Sequence, residues 1–133
     1  MKRIVIPAEL SEVDKIRNLL REEVRDLCLS EEDFFKIELA VVEACVNIIC
    51  YAYPDGPGEI DFELQKNGRR VSMTIIDSGI PFNPCEAPKP DLERIVEAGQ
   101  RGGLGIFLVR ELMDDVAYRR EAERNILTLA KRF

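Results

Sequence analysis

The 133-residue chain has no histidine, and its four cysteines show no C-x-x-C spacing. Together these absences exclude the common zinc sites, which need closely spaced thiolates or imidazoles. Cys28, Cys45, Cys50 and Cys85 read instead as reduced, buried thiols of a cytoplasmic protein. Basic charge is also scarce: 19 Lys and Arg against 25 Asp and Glu leave a net charge of −6. A nucleic-acid partner is disfavoured, because phosphate contacts need a basic surface. No apolar run is long and unbroken enough to cross a membrane, and no basic-then-apolar leader opens the chain, so the protein is expected neither in a membrane nor secreted. At this length one domain is expected over 1–133, burying roughly two-thirds of its unfolded surface.

What the chain does have is one greasy helix, Lys36–Tyr53, KIELAVVEACVNIICYAY. From Leu39 to Ala52 its strongly polar residues are Glu43 and Asn47, which share one helical face. A buried carboxylate is costly unless paired or coordinating. The pair therefore points to a pocket on that face, with a core carboxylate satisfied by backbone or water as the plainer alternative.

The other elements form around this helix. Lys2–Ile6 reads as a strand ending at Pro7. Ser11 with Asp14 makes a capping box for a helix whose stripe is Val13, Ile16, Leu20, Val24 and Leu27. Ser30 with Asp33 caps the central helix, and Pro54-Asp55-Gly56-Pro57-Gly58 ends it. Alternation at Ile60, Phe62 and Leu64, the turn Asn67-Gly68 and a return strand Arg69–Ile76 make a hairpin. Residues 82–101 form a long connection with a short amphipathic turn, Asp91–Ala98, inside it. A helix, Ile106–Met113, and a β pair, Val116–Arg120 with Ile126–Arg132, close the chain. The expected fold is an α/β two-layer sandwich, helices on one face of a mixed, mostly antiparallel sheet.

Three polar elements suit three parts of a nucleotide. Asp77, at a strand end, can only accept hydrogen bonds when ionised, which suits the exocyclic amine of adenine and rejects the carbonyl of guanine. Gly79 would let a flat ring lie against backbone; a turn-initiating Asp before Gly is the plainer alternative. Gly102-Gly103-Leu104-Gly105 at a helix start offers backbone N–H groups to phosphate, or is simply a flexible helix entry. No P-loop lysine accompanies it, so a triphosphate would need a metal: the amide oxygen of Asn47 can take one position on Mg²⁺. Glu43 is then placed as a general base.

E-x-x-x-N (Glu43, Asn47), D-x-G (Asp77, Gly79) and G-G-L-G (Gly102 to Gly105), in this order, resemble the N, G1 and G2 boxes of the GHKL, or Bergerat-fold, ATPase superfamily. ELAVVEACVN, IIDSGIPFNP, GGLGIFLVRELMDDVAY and NILTLAKRF are most similar to its small branch of bacterial anti-sigma factors that are serine-protein kinases. The resemblance implies ATP and Mg²⁺ as cofactors, Glu43 as base, Asn47 as metal ligand, Asp77 as the adenine reader, and Gly103, Leu104 and Gly105 at the phosphates, with 82–101 as an ATP lid. It further implies a homodimer, a STAS-type anti-anti-sigma protein as substrate and a sequestered sigma factor. Tyr51 stands where many relatives have histidine. Asn125, after Arg124 in place of a glycine, stands where much of the superfamily has threonine. A module that uses nucleotide only to set its shape stays open beside the kinase.

Overall fold

The structure is a computed structural model that describes residues 1–83 and 102–133. Strand β1 (Lys2–Pro7) leads through a 3₁₀ turn, Leu10–Glu12, into helix α1 (Val13–Glu23). A second 3₁₀ turn, Arg25–Leu27, precedes helix α2 (Glu31–Asn47), which continues as a π turn, Ile48–Ala52. Strands β2 (Glu59–Asn67) and β3 (Arg70–Asp77) form the hairpin. Helix α3 (Gly102–Leu112) and strands β4 (Asp115–Glu121) and β5 (Arg124–Arg132) complete the described chain.

Among the described residues the sheet runs β1-β2-β3-β5-β4 with every pairing antiparallel, so no parallel pair of the expected mixed sheet is seen among them. Short hairpin turns join β2 to β3 and β4 to β5, and such turns produce only antiparallel neighbours. Register sets the inner face: Ile6, Ile60, Asp77 and Asn125 stand in one row across four strands. Phe62, Ile75 and Leu127 form the next row, and Leu64, Met73 and Leu129 the third. The apolar members of these rows are buried beneath the helices with Ile16, Leu20, Ile37 and Val41. Each large side chain removed from water there contributes about 1.5–3 kcal/mol.

Two helix starts differ from each other for a local reason. The Ser30 hydroxyl accepts from the Asp33 amide at 3.1 Å, as the capping pattern requires. Ser11 does not cap α1: it lies inside a 3₁₀ turn, α1 begins two residues later, and Asp14 instead pairs with Arg17 at 2.8 Å. The central helix also changes pitch before its end. The Tyr53 amide reaches the Ile48 carbonyl at 3.2 Å, a π-type closure that widens the last turn.

Of the cysteines, Cys45 is fully buried and apolar surroundings push its thiol up to about 12. Cys28 and Cys50 are exposed, contrary to expectation. Cys28 takes the left-handed conformation that ends the 3₁₀ turn before α2, and Cys50 lies on the outward side of the π turn. Cys85, Asp91–Ala98 and the lid beyond Asn83 lie outside the described residues.

Candidate nucleotide site

Among the described residues the buried polar side chains are Asn47, Asp77 and Asn125, 3–5% exposed. All three line one cavity of about 20 Å³ between α2, α3 and the sheet, together with Phe82, Val109 and Tyr118. Three costly burials at one place mark it as the candidate site. The volume holds about one water molecule.

The widened end of α2 positions this cavity. The Ala52 carbonyl accepts from the Ile80 amide at 2.9 Å, tying the helix end to the segment that leaves β3. A Cβ on Gly79 would stand 2.2 Å from that same carbonyl, so glycine permits the contact. The close approach at Gly79 is thus to the protein's own backbone. Tyr53 adds a clamp: its hydroxyl donates to the Glu59 carbonyl at 2.8 Å and accepts from the Ser78 amide at 2.7 Å. Its ring lies where a side chain on Gly58 would have to go.

Asp77 is held as well as buried. Its Oδ1 accepts from the Gly79 amide at 2.9 Å and from the Asn125 side chain at 2.8 Å. Burial raises its carboxyl above the ordinary carboxylate value, while Asn125, the Gly79 amide and the charge of Arg120 pull it back. Arg120 also donates to the Gly79 carbonyl at 2.8 Å and so anchors the turn.

The structure brings Asn47 and Asp77 to one cavity from opposite layers. Glu43 is half-buried one turn earlier on α2 and is not among the residues lining that cavity. Among the described residues neither Glu43 nor the Asn47 amide has a hydrogen-bond partner. Helix α3 begins at Gly102, so Gly102, Gly103, Leu104 and Gly105 form its first turn rather than preceding a helix at Ile106. Backbone N–H groups of a first turn have no intrahelical acceptor. Further along α3, Val109 and Arg110 reach the cavity.

Sequence reasoning missed Tyr118, Arg120, Tyr53 and the Phe82 ring, which stacks on Tyr51 at 5.1 Å. The first two had a signal: alternation on β4 turns 118 and 120 inward, opposite Leu127 and Asn125. The stacking of Phe82 had none.

The chain belongs to the histidine kinase-like ATPase domain family, whose sequence model matches residues 6–131. It is 36% identical over 96 residues to the serine/threonine-protein kinase BtrW of Bordetella bronchiseptica, covering 71% of this chain and 68% of that one. The serine-protein kinase RsbW of Bacillus mycoides is 30% identical over 115 residues, covering 84% and 72%. Among solved structures the SiaB–SiaC complex of Pseudomonas aeruginosa matches with a TM-score of 0.60 at 13% identity, over 100% of this chain and 90% of that one. That last likeness is one of fold. No helix among the described residues is long and apolar enough to cross a membrane.

Proposed function

We propose that this protein is an ATP-dependent serine-protein kinase and anti-sigma factor. It phosphorylates a STAS-type anti-anti-sigma protein and sequesters a sigma factor, acting as a homodimer in the cytoplasm, with 1–133 as one domain. The observation that carries the reading is the meeting of Asp77 and Asn47 at one cavity, in a chain whose relatives are named as such kinases.

Asp77 reads the adenine amine from a free carboxylate oxygen. Gly102 to Gly105 present first-turn amides to the phosphates. Asn47 suits a cation: among the described residues it is a buried amide without a partner, and no cluster of three or more Cys, Asp or Glu there competes for the metal. Its Oδ1 would hold Mg²⁺ beside the triphosphate, and the ion, when bound, supplies the positive charge that the missing P-loop lysine does not. Glu43 takes the proton of the attacking serine hydroxyl as that oxygen bonds to the γ-phosphorus and the bond to ADP breaks. The cavity holds about one water, so adenine enters only as lining side chains outside the Asp77–Asn125–Tyr118 network move aside.

One observation favours a second reading. Glu43 lies off the cavity, as it would in a module that binds nucleotide only to set its shape. Labelled ATP incubated with the protein and STAS proteins of its own genome decides between them. Label on a STAS serine supports the kinase. ATP binding without transfer to any of them supports the module.

The helix α1 surface is less open to partners than its charge suggests. Arg17 and Arg21 both turn onto Glu38 of α2 at 3.4 Å, and Arg25 pairs with Glu22. Arg21 also lies 4.5 Å over the Phe34 ring. A contact through this face would have to exchange those pairs.

A further inference from the structure

The side chain of Asn125 sits at the centre of the polar network, and nothing in the proposed reaction uses it. It stands opposite Asp77 in the β3–β5 register. Its Nδ2 donates to Asp77 Oδ1 at 2.8 Å and to the Ile80 carbonyl at 2.8 Å. Its Oδ1 accepts from the Tyr118 hydroxyl at 2.6 Å, from Arg120 at 3.2 Å and from the Phe82 amide at 3.3 Å. This pattern admits one amide orientation. Turned over, the NH₂ would face the donors of Arg120 and Phe82, and the oxygen would face a carboxylate and a carbonyl.

Asn125 therefore meets Asp77 only as a donor. It shares Oδ1 with the Gly79 amide, and two donors on one oxygen fix the plane of the carboxylate. Oδ2 accepts from no group among the described residues, so it is the acceptor left for a ligand at the cavity. An unheld carboxylate could rotate and divide its two oxygens among water, backbone and ligand. The held one presents a single acceptor in a single place.

We propose that Asn125 is a positioning residue for base recognition: locked by Tyr118 and Arg120, it fixes Asp77 so that the site selects purine nucleotides bearing an exocyclic amine at the read position. The inference rests on the nucleotide-binding reading above and names how that site discriminates. A residue needed only for packing would weaken all nucleotides alike. A positioning residue weakens selectively the ligand whose amine Asp77 reads.

The test compares ATP with purine riboside triphosphate, which differs only by lacking the amine, both with Mg²⁺. Dissociation constants are measured by calorimetry for wild type, Asn125→Ala and Tyr118→Phe, with melting curves to check folding. Wild type should prefer ATP by about tenfold or more, the scale of one hydrogen bond to a charged group. In Asn125→Ala the preference should fall below about threefold, chiefly through loss of ATP affinity, and Tyr118→Phe should fall between. If Asn125→Ala does not fold, Tyr118→Phe carries the test, and its preference must drop at least twofold. An unchanged preference in the folded variants overturns the role of Asn125 and leaves the nucleotide site standing. A wild type that binds neither ligand overturns the site itself.

Discussion

The two ends of the candidate site are built differently. At the strand end, Asp77, Asn125, Tyr118, Arg120 and the Gly79 amide are joined in one network, with a single carboxylate oxygen left over. At the helix end, Glu43 and Asn47 have no hydrogen-bond partner among the described residues. On the proposed reading, the difference matches what each end would do. A group that discriminates between bases must already be in place, since discrimination comes from the cost of leaving a fixed polar group unpaired. A metal ligand or a base gains its partner only with the bound substrate, and a permanent internal partner would compete with it. The strand end is thus preorganised, and the helix end is kept vacant of rivals.

The sharpest break of this comparison is at the helix end. Glu43→Gln keeps the shape of the side chain and removes its basicity. Phosphotransfer to the STAS substrate should slow by about 10²–10⁴-fold while ATP affinity stays near wild type. Radiolabel transfer under single-turnover conditions measures it, and an undiminished rate would place the base elsewhere.

Next in size is Asp77→Asn. ATP at a hundredfold excess over its dissociation constant should stabilise the wild type by about 2.7 kcal/mol, which is roughly ten degrees in melting temperature for a domain of this size. The variant should show no shift, because an amide nitrogen meets the base amine where an oxygen did. Its nucleotide-free stability should move the other way. Burial raises the Asp77 carboxyl above its ordinary 3.8, so the folded chain binds protons there that the unfolded chain has released. Stability from this group falls as pH rises through that window. Relative to wild type, nucleotide-free Asp77→Asn should therefore be more stable at pH 7 than at pH 3. A variant less stable at pH 7 would show that the held carboxylate contributes to folding rather than opposing it.

Asn47→Ala should act on the cation alone. Among the described residues its amide has no partner to lose, so the melting temperature without nucleotide should change little. ATP affinity measured with Mg²⁺ should drop by about tenfold, the scale of one hydrogen bond or ligand to a charged group. Affinity in the presence of a chelator should match wild type. Equal losses with and without Mg²⁺ would move Asn47 from metal ligand to wall of the pocket.

The strand end was also the less legible of the two in the sequence. Local pattern carried the hairpin, the Ser30 cap and the buried polar position of Asn47 on the central helix, because each depends on residues within one turn or one strand; the pocket expected to take Glu43 beside it takes Asn47 without Glu43. Asp77 was legible as the polar end of an apolar strand. The partners that give it its character were not: Asn125 is 48 residues away in sequence, and only the β3–β5 register brings the two side chains together. The π turn was equally hidden. Nothing in IICYA marks a change of pitch, which is held by the tie between Ala52 and Ile80 across the layers. The helix start at Gly102 was placed four residues late, since glycines read as a break wherever they stand.

The smallest expected effect tests whether the strand end is self-sufficient. Tyr53 bridges the loop after α2 to the turn after β3 through one hydroxyl, which donates to Glu59 and accepts from Ser78. Both bonds lie at an exposed edge, so water can replace the hydroxyl at either group. Tyr53→Phe keeps the ring over Gly58 and loses both bonds. It should destabilise the nucleotide-free protein by about 1 kcal/mol, or roughly four degrees in melting temperature. ATP affinity should nonetheless fall by less than about threefold, because Asp77 keeps the Gly79 amide and Asn125 on Oδ1, and Arg120 still holds the Gly79 carbonyl. Calorimetric titration beside a melting curve separates the two readouts. A collapse of ATP binding from this edge substitution would mean that the network at Asp77 is propped from outside, and the contrast between the two ends of the site would fail.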